Sequence, residues 1–194
     1  MTSHPHKEVK IFHNTVPPSL CKLLIDTYNK DEAQAQSEVY GKGHNVQANC
    51  LLLNNPQYKS LDEKVFKIVD KVVNKLREQD KFLMVSGSCT YQLRKIHGAT
   101  RLHVDGPLCP TTNQLRNVSL IMALNSNYEG GLFHFPKQDL HLRLEAGDVI
   151  TFPVYYTHPH EVAAPINDTY RYTCLLYTSP SPRDATLSRM PSSA

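Results

Sequence analysis

The chain has 194 residues, 40% of them hydrophobic and 20% charged, with a formal charge of +3. That length suits one domain able to bury a real core, and so small a charge gives no argument for nucleic acid or a membrane surface as partner. No apolar run is long enough to span a membrane, and residues 1–10 are polar with two histidines, unlike a secretory signal, so a cytoplasmic setting is expected. Cys21, Cys50, Cys89, Cys109 and Cys174 show no paired spacing and read as free thiols in a reducing compartment.

In chain order, residues 1–10 read as a disordered arm in which His4 and His6 are solvated. Val16-Pro17-Pro18-Ser19 then opens a helix whose apolar face is Leu20, Leu23, Leu24 and Tyr28. Residues 30–47 are polar, carry Gly41 and Gly43, and predict a loop or irregular edge. Ser60-Leu61-Asp62-Glu63 has the capping-box pattern of a second helix. Leu61, Val65, Val69, Val72, Val73 and Leu76 form its apolar face, with Lys and Glu turned to solvent. From Phe82 the rhythm changes to short apolar or alternating runs at 89–96, 118–124, 131–135, 140–144, 149–152 and 160–163. Gly, Pro and Asn punctuate them, which predicts antiparallel strands of a sandwich or jelly roll. Two helices followed by an all-β body implies helices packed on one side of that body.

The chemistry sits in two clusters. His103-Val104-Asp105 is an H-x-D pair, and alternate residues of a strand share a face, so both side chains can reach one ion. His160 follows 55 residues after Asp105, in Thr157-His158-Pro159-His160-Glu161-Val162, and Arg171 comes eleven residues later. Two imidazoles and a carboxylate on one face of a metal leave positions open, as non-haem iron oxygen chemistry requires. A bidentate 2-oxo acid would fill two of them, and an Arg fork matches its far carboxylate. His158 is a rival to His160, since alternation gives both the same strand face.

His103-Val104-Asp105, Gly130-Gly131, Gly147-Asp148, His160-Glu161-Val162 with Pro165, and Tyr170-Arg171-Tyr172 together resemble the prolyl 4-hydroxylase-like branch of the 2-oxoglutarate/Fe(II) dioxygenases. The resemblance covers about residues 91–173. It implies a double-stranded β-helix (jelly roll, cupin-like), mostly β and supported by the two N-terminal helices. It also implies hydroxylation of a peptidyl (prolyl-like) or small-molecule C–H bond, with O₂ consumed and 2-oxoglutarate converted to succinate and CO₂. Ascorbate often keeps the iron reduced in this branch. The implied iron ligands are His103, Asp105 and His160, and Arg171 is the implied contact to the far carboxylate of 2-oxoglutarate. Tyr91 is a candidate second contact to that carboxylate, although it lies two residues upstream of the family's usual tyrosine and core packing is its competing role. His158 and Arg116 are candidate groups beside the metal or on the substrate side; for Arg116 a structural role stands equally. The aromatic residue usual before the glycine turn is replaced here by Lys95 or Ile96, and one extra residue separates His160 from Arg171. His97, His134 and His141 read as surface or packing residues, and His13 and His44 have no partner motif. The competing functional readings are a non-catalytic metal- or ligand-binding β-helix module and an inactive truncated product.

Residues 174–184, Cys-Leu-Leu-Tyr-Thr-Ser-Pro-Ser-Pro-Arg-Asp, resemble a translated sequencing adaptor, and residues 188–194 resemble its far end. Ser, Pro and Arg dominate, and no apolar period survives beyond Tyr177. The expected division is an arm at 1–10, a domain at 11–173 with its β core from about 82, and a non-native tail at 174–194.

Overall fold

The computed structural model describes residues 8–38, 48–85, 87–109, 113 and 115–179. Two prolines set the first helix: Pro17 is its extended N-cap and Pro18 opens α1 (Pro18–Lys30), where a missing N–H costs nothing. Its buried side is Leu20, Cys21, Leu24 and Tyr28, whereas Leu23 faces outward at 38% exposure. The second helix, α2 (Lys59–Gln79), starts without the capping box that Ser60 and Glu63 suggest. A 3₁₀ turn at Pro56–Tyr58 leads directly into it, with the Asn55 side chain accepting from the Gln57 N–H. Ser60 is therefore already inside the helix. All six residues of the expected apolar face of α2 are buried.

Among the described residues, fourteen strands follow or flank the helices: β1 (Lys10–Phe12), β2 (Gln36–Glu38), β3 (Ala48–Leu52), β4 (Gly87–Ser88), β5 (Gln92–Ile96), β6 (Thr100–His103), β7 (Val118–Ala123), β8 (Glu129–Gly130), β9 (Phe133–Phe135), β10 (Leu140–Leu142), β11 (Val149–Pro153), β12 (His160–Val162), β13 (Pro165–Ile166) and β14 (Arg171–Ser179). The major sheet has the order β1-β11-β7-β14-β5-β3-β2, with β4 also pairing β14. The minor sheet is β10-β9-β12-β6, and β13 pairs β8 separately. All pairings are antiparallel.

The major sheet is covered on both faces, which explains the nearly unbroken apolar run of β7. Leu120 and Met122 pack with the helices, together with Leu93, Cys174, Leu176 and the buried face of α2. Ala123 and its neighbour Ile121 turn the other way, to Phe133, Phe135, Ile150, Phe152 and Val162 between the sheets. The site lies in this inner layer.

Two expected boundaries move. Lys10 belongs to β1, opposite Thr151, so the N-terminal arm ends earlier; His4 and His6 lie outside the described residues. At the other end, β14 runs straight through Thr173 to Ser179. Cys174 to Tyr177 pair with Met122 to Ser119 on one side, and Cys174 and Leu175 with β5 on the other. Cys174 and Leu176 are fully buried. The strand survives because residues 173–177 carry a pattern that suits a doubly covered position, whatever their origin.

Candidate active site

The site begins with a strand register. β12 pairs β6 with His160 directly opposite His103, and the two imidazole centroids lie 4.4 Å apart. A register shift between His160 and Val162 turns the strand just past the histidine. Asp105 follows the end of β6. Its Oδ1 lies 3.3 Å from His103 Nε2 and 3.8 Å from His160 Nε2. One ligand atom from each of His103, Asp105 and His160 falls within 4.8 Å of the others, the only such cluster of His, Cys, Asp or Glu among the described residues.

The backbone orients both rings. His103 Nδ1 lies 2.8 Å from the Arg101 carbonyl, and His160 Nδ1 lies 3.2 Å from the His158 carbonyl. Each ring thus donates from Nδ1 to the carbonyl two residues upstream and presents Nε2 toward Asp105. Metal-binding histidines are commonly held this way.

Burial raises the Asp105 carboxyl, but the hydrogen bond from His103, the nearby His160 and the Ser119 hydroxyl outweigh it and hold it at about 2. Burial also works against a charged His103, yet its bond to Asp105 leaves it raised. His160 is lowered, chiefly by burial. The donor set fits a divalent iron-type ion. Two imidazole nitrogens and one oxygen anion converge, and the other Asp105 oxygen is buried without a hydrogen bond.

A narrow pocket leads inward from the triad between Ile121, Phe133, Val162 and Leu175 to Arg171. Arg171 opens β14 and is 4% exposed. Burial lowers its guanidinium to about 10. Its Nε has no hydrogen bond, and among the described residues no carboxylate pairs with it. The Phe133 ring lies 5.1 Å from the guanidinium carbon, and the nearby Tyr128 also favours its charged form. A buried cation lacking an anion is costly, and a carboxylate entering the pocket would satisfy it.

The remaining expected residues divide. Tyr91 does not reach the pocket: it shares the parity of Leu93, faces the helix layer, and sets its hydroxyl 3.3 Å from Ser88 Oγ. His158 precedes β12 in a turn, where strand alternation does not apply, and stays out of the triad. Its Nδ1 meets Thr157 Oγ1 at 2.9 Å, while its carbonyl orients His160. Arg116 stacks its guanidinium 3.9 Å from the centroid of the Tyr177 ring. Tyr177 pairs with Ser119, far along β14 from Arg171. His134 and His141 stack on each other and His134 meets Glu161, whereas His97 packs edge-on to Tyr170. Of the loop or irregular edge expected at 30–47, residues 39–47 lie outside the described residues.

Motif matching overlooked two residues. Arg94 lines the pocket from β5, and strand parity opposite Tyr91 and Leu93 would have found it. Tyr128 packs behind the pocket with a buried hydroxyl that makes no hydrogen bond, close enough to Arg171 for its charge to be felt. Nothing in the sequence places it there.

Chains of known structure share this fold. A viral collagen prolyl hydroxylase from Paramecium bursaria Chlorella virus-1, solved with 2-oxoglutarate, matches 92% of this chain and 99% of its own, with a TM-score of 0.68 and 15% identity. A Pseudomonas putida prolyl-4-hydroxylase matches 90% and 93%, at 0.70 and 16%. A Trichoplax adhaerens prolyl hydroxylase bound to a peptide of the hypoxia-inducible factor oxygen degradation domain matches 94% and 88%, at 0.73 and 14%. The fold is that of the prolyl hydroxylases. No protein-family model and no curated protein sequence matches the chain. At such identities the prolyl hydroxylase fold is what the likeness shows, and activity has to be argued from the site. No helix among the described residues is long and apolar enough to cross a membrane.

Proposed function

We propose that the protein is an Fe(II)- and 2-oxoglutarate-dependent dioxygenase that hydroxylates a C–H bond of a peptidyl, prolyl-like substrate or of a small molecule. The observation that carries this is the pairing of a convergent His103–Asp105–His160 triad with a buried guanidinium lacking an anion at the end of the same pocket. A binding module would need the first feature or the second, not both in line. When bound, iron with 2-oxoglutarate and O₂ supplies the oxidising power, one oxygen atom leaving in succinate beside CO₂ and the other entering the substrate.

The protein's own residues do the holding. Asp105 stays anionic across the physiological range, and the Nδ1 contacts of both histidines keep Nε2 free to ligate. Arg171 binds the far carboxylate of 2-oxoglutarate. Ile121, Phe133, Val162 and Leu175 keep water from the pocket, which strengthens every charge interaction within it. The peptide substrate is supported by the peptide bound to the Trichoplax prolyl hydroxylase. Ascorbate as reductant and a cytoplasmic setting complete the proposal. We read residues 174–194 as adaptor-derived in origin, with the first six recruited into β14.

The test is an anaerobic titration of the full chain with Fe(II) and 2-oxoglutarate, following the visible charge-transfer band of the chelate. The band is expected in the parent. It should vanish in His160→Ala and require about 10- to 100-fold more 2-oxoglutarate in Arg171→Ala, the loss of a charge-assisted contact. A folded parent that gives no band would defeat the proposal and favour the binding module.

A further inference from the structure

The pocket holds a second guanidinium that the motifs do not use. On β5, Leu93 faces the helices, whereas Arg94 and Ile96 line the pocket between the sheets. Arg94 stands opposite Thr173 of β14, and Ile96 opposite Arg171. The two arginines are thus diagonal neighbours on one face of adjacent strands, roughly 7–8 Å apart at the backbone and within side-chain reach of one point. Arg94 sits one register step closer to the triad, and its charge is felt at both His103 and Arg171. Asp105 is the only acidic residue among the described lining, and it is committed to the two histidines.

Two guanidiniums at one end of a narrow, apolar-walled pocket repel each other, and a carboxylate with its two oxygens can accept from both. We infer that Arg94 and Arg171 form a two-arginine clamp on the far carboxylate of the co-substrate, making Arg94 a specificity residue that selects a dianionic 2-oxo acid over a monoanionic one. This rests on the proposed function. Arg171 at the strand start supplies the anchor. Arg94 adds a second charge from the neighbouring strand and fixes the depth at which the carboxylate stops.

Calorimetry on the full chain loaded with Mn(II) in place of iron tests the clamp. The probes are 2-oxoglutarate and 2-oxopentanoate, which has the same chain length but no far carboxylate. Arg94→Met should weaken 2-oxoglutarate binding about 10- to 100-fold and leave 2-oxopentanoate unchanged, and Arg94→Lys should recover part of the loss. Equal 2-oxoglutarate binding by wild type and Arg94→Met would overturn the clamp alone, as would equal losses for both acids. A wild type that binds neither acid would overturn the proposed function with it. A second measurement needs no variant: phenylglyoxal labelling of the wild type, read by mass spectrometry. 2-Oxoglutarate should protect Arg94 as well as Arg171, and unprotected labelling of Arg94 would overturn the inference.

Discussion

The proposed metal binding should depend on the proton of His103. Its pKa is raised although burial is the largest influence on it, because the bond to Asp105, the Asp105 charge and the Arg101 carbonyl together outweigh burial, whereas that of His160 is lowered, chiefly by burial. A metal must displace the His103 proton, so affinity should be constant above that raised pKa and fall about tenfold per pH unit below it. Mn(II) titrations between pH 5.5 and 8 check this; an affinity flat down to pH 5.5 would mean that His103 is not a ligand. Behind the pocket, Gly131 has a φ of +66°, and a Cβ there would lie 2.6 Å from Tyr128 Cε2. Gly131→Ala should therefore displace Tyr128, crowd the Arg171 side chain, whose Cδ lies 3.5 Å from that Cβ, and both weaken 2-oxoglutarate binding and lower thermal stability. Calorimetry and a melting curve on the same sample separate the two effects. At this scale the H-x-D, the distal histidine and Arg171 were legible because each has a motif. Tyr91 was misleading, because one-residue parity decides which face of β5 a side chain occupies.

Elements turn that parity into a site. β12 and β6 place His160 opposite His103 without help from any long-range sequence signal. β14 sits between β5 and β7, the centre of the major sheet, so its integrity governs both faces. Cys174, Leu175, Leu176 and Tyr177 are all buried, and each buried leucine contributes roughly 1.5–3 kcal/mol. A whole domain retains only about 5–15 kcal/mol. A chain ending at Thr173 should therefore be unfolded by circular dichroism, and a chain ending at Ser179 should fold like the full protein. A folded, cooperative Thr173 chain would show that another segment can occupy this place. α2 was read correctly from its 3.6-residue period, but its start was not, because the 3₁₀ turn before it took over the role assigned to Ser60.

Across the molecule, three layers share the work: helices, major sheet and minor sheet. The triad comes from the minor sheet and the chain just past it, and Arg94 and Arg171 from the major sheet. A ligand that bridges them ties the two sheets together. Mn(II) with 2-oxoglutarate should thus raise the melting temperature more than the sum of each added alone, by linkage to the folded state. Differential scanning fluorimetry reads this, and simple additivity would mean that metal and acid do not share one pocket.

By itself the sequence determined the two helices, the antiparallel β body, the motifs whose side chains converge at His103, Asp105 and His160, and Arg171 as a member of the same pocket. Each is written in a local period or a short spacing. Tertiary structure alone decided which face of β5 looks into the pocket, which puts Arg94 in its lining and turns Tyr91 toward the helices. It also decided that His158 lends its carbonyl, not its ring, and that residues 174–179 belong to the sheet. These outcomes depend on register between strands far apart in the chain, and register is set by which face must be buried against which neighbour.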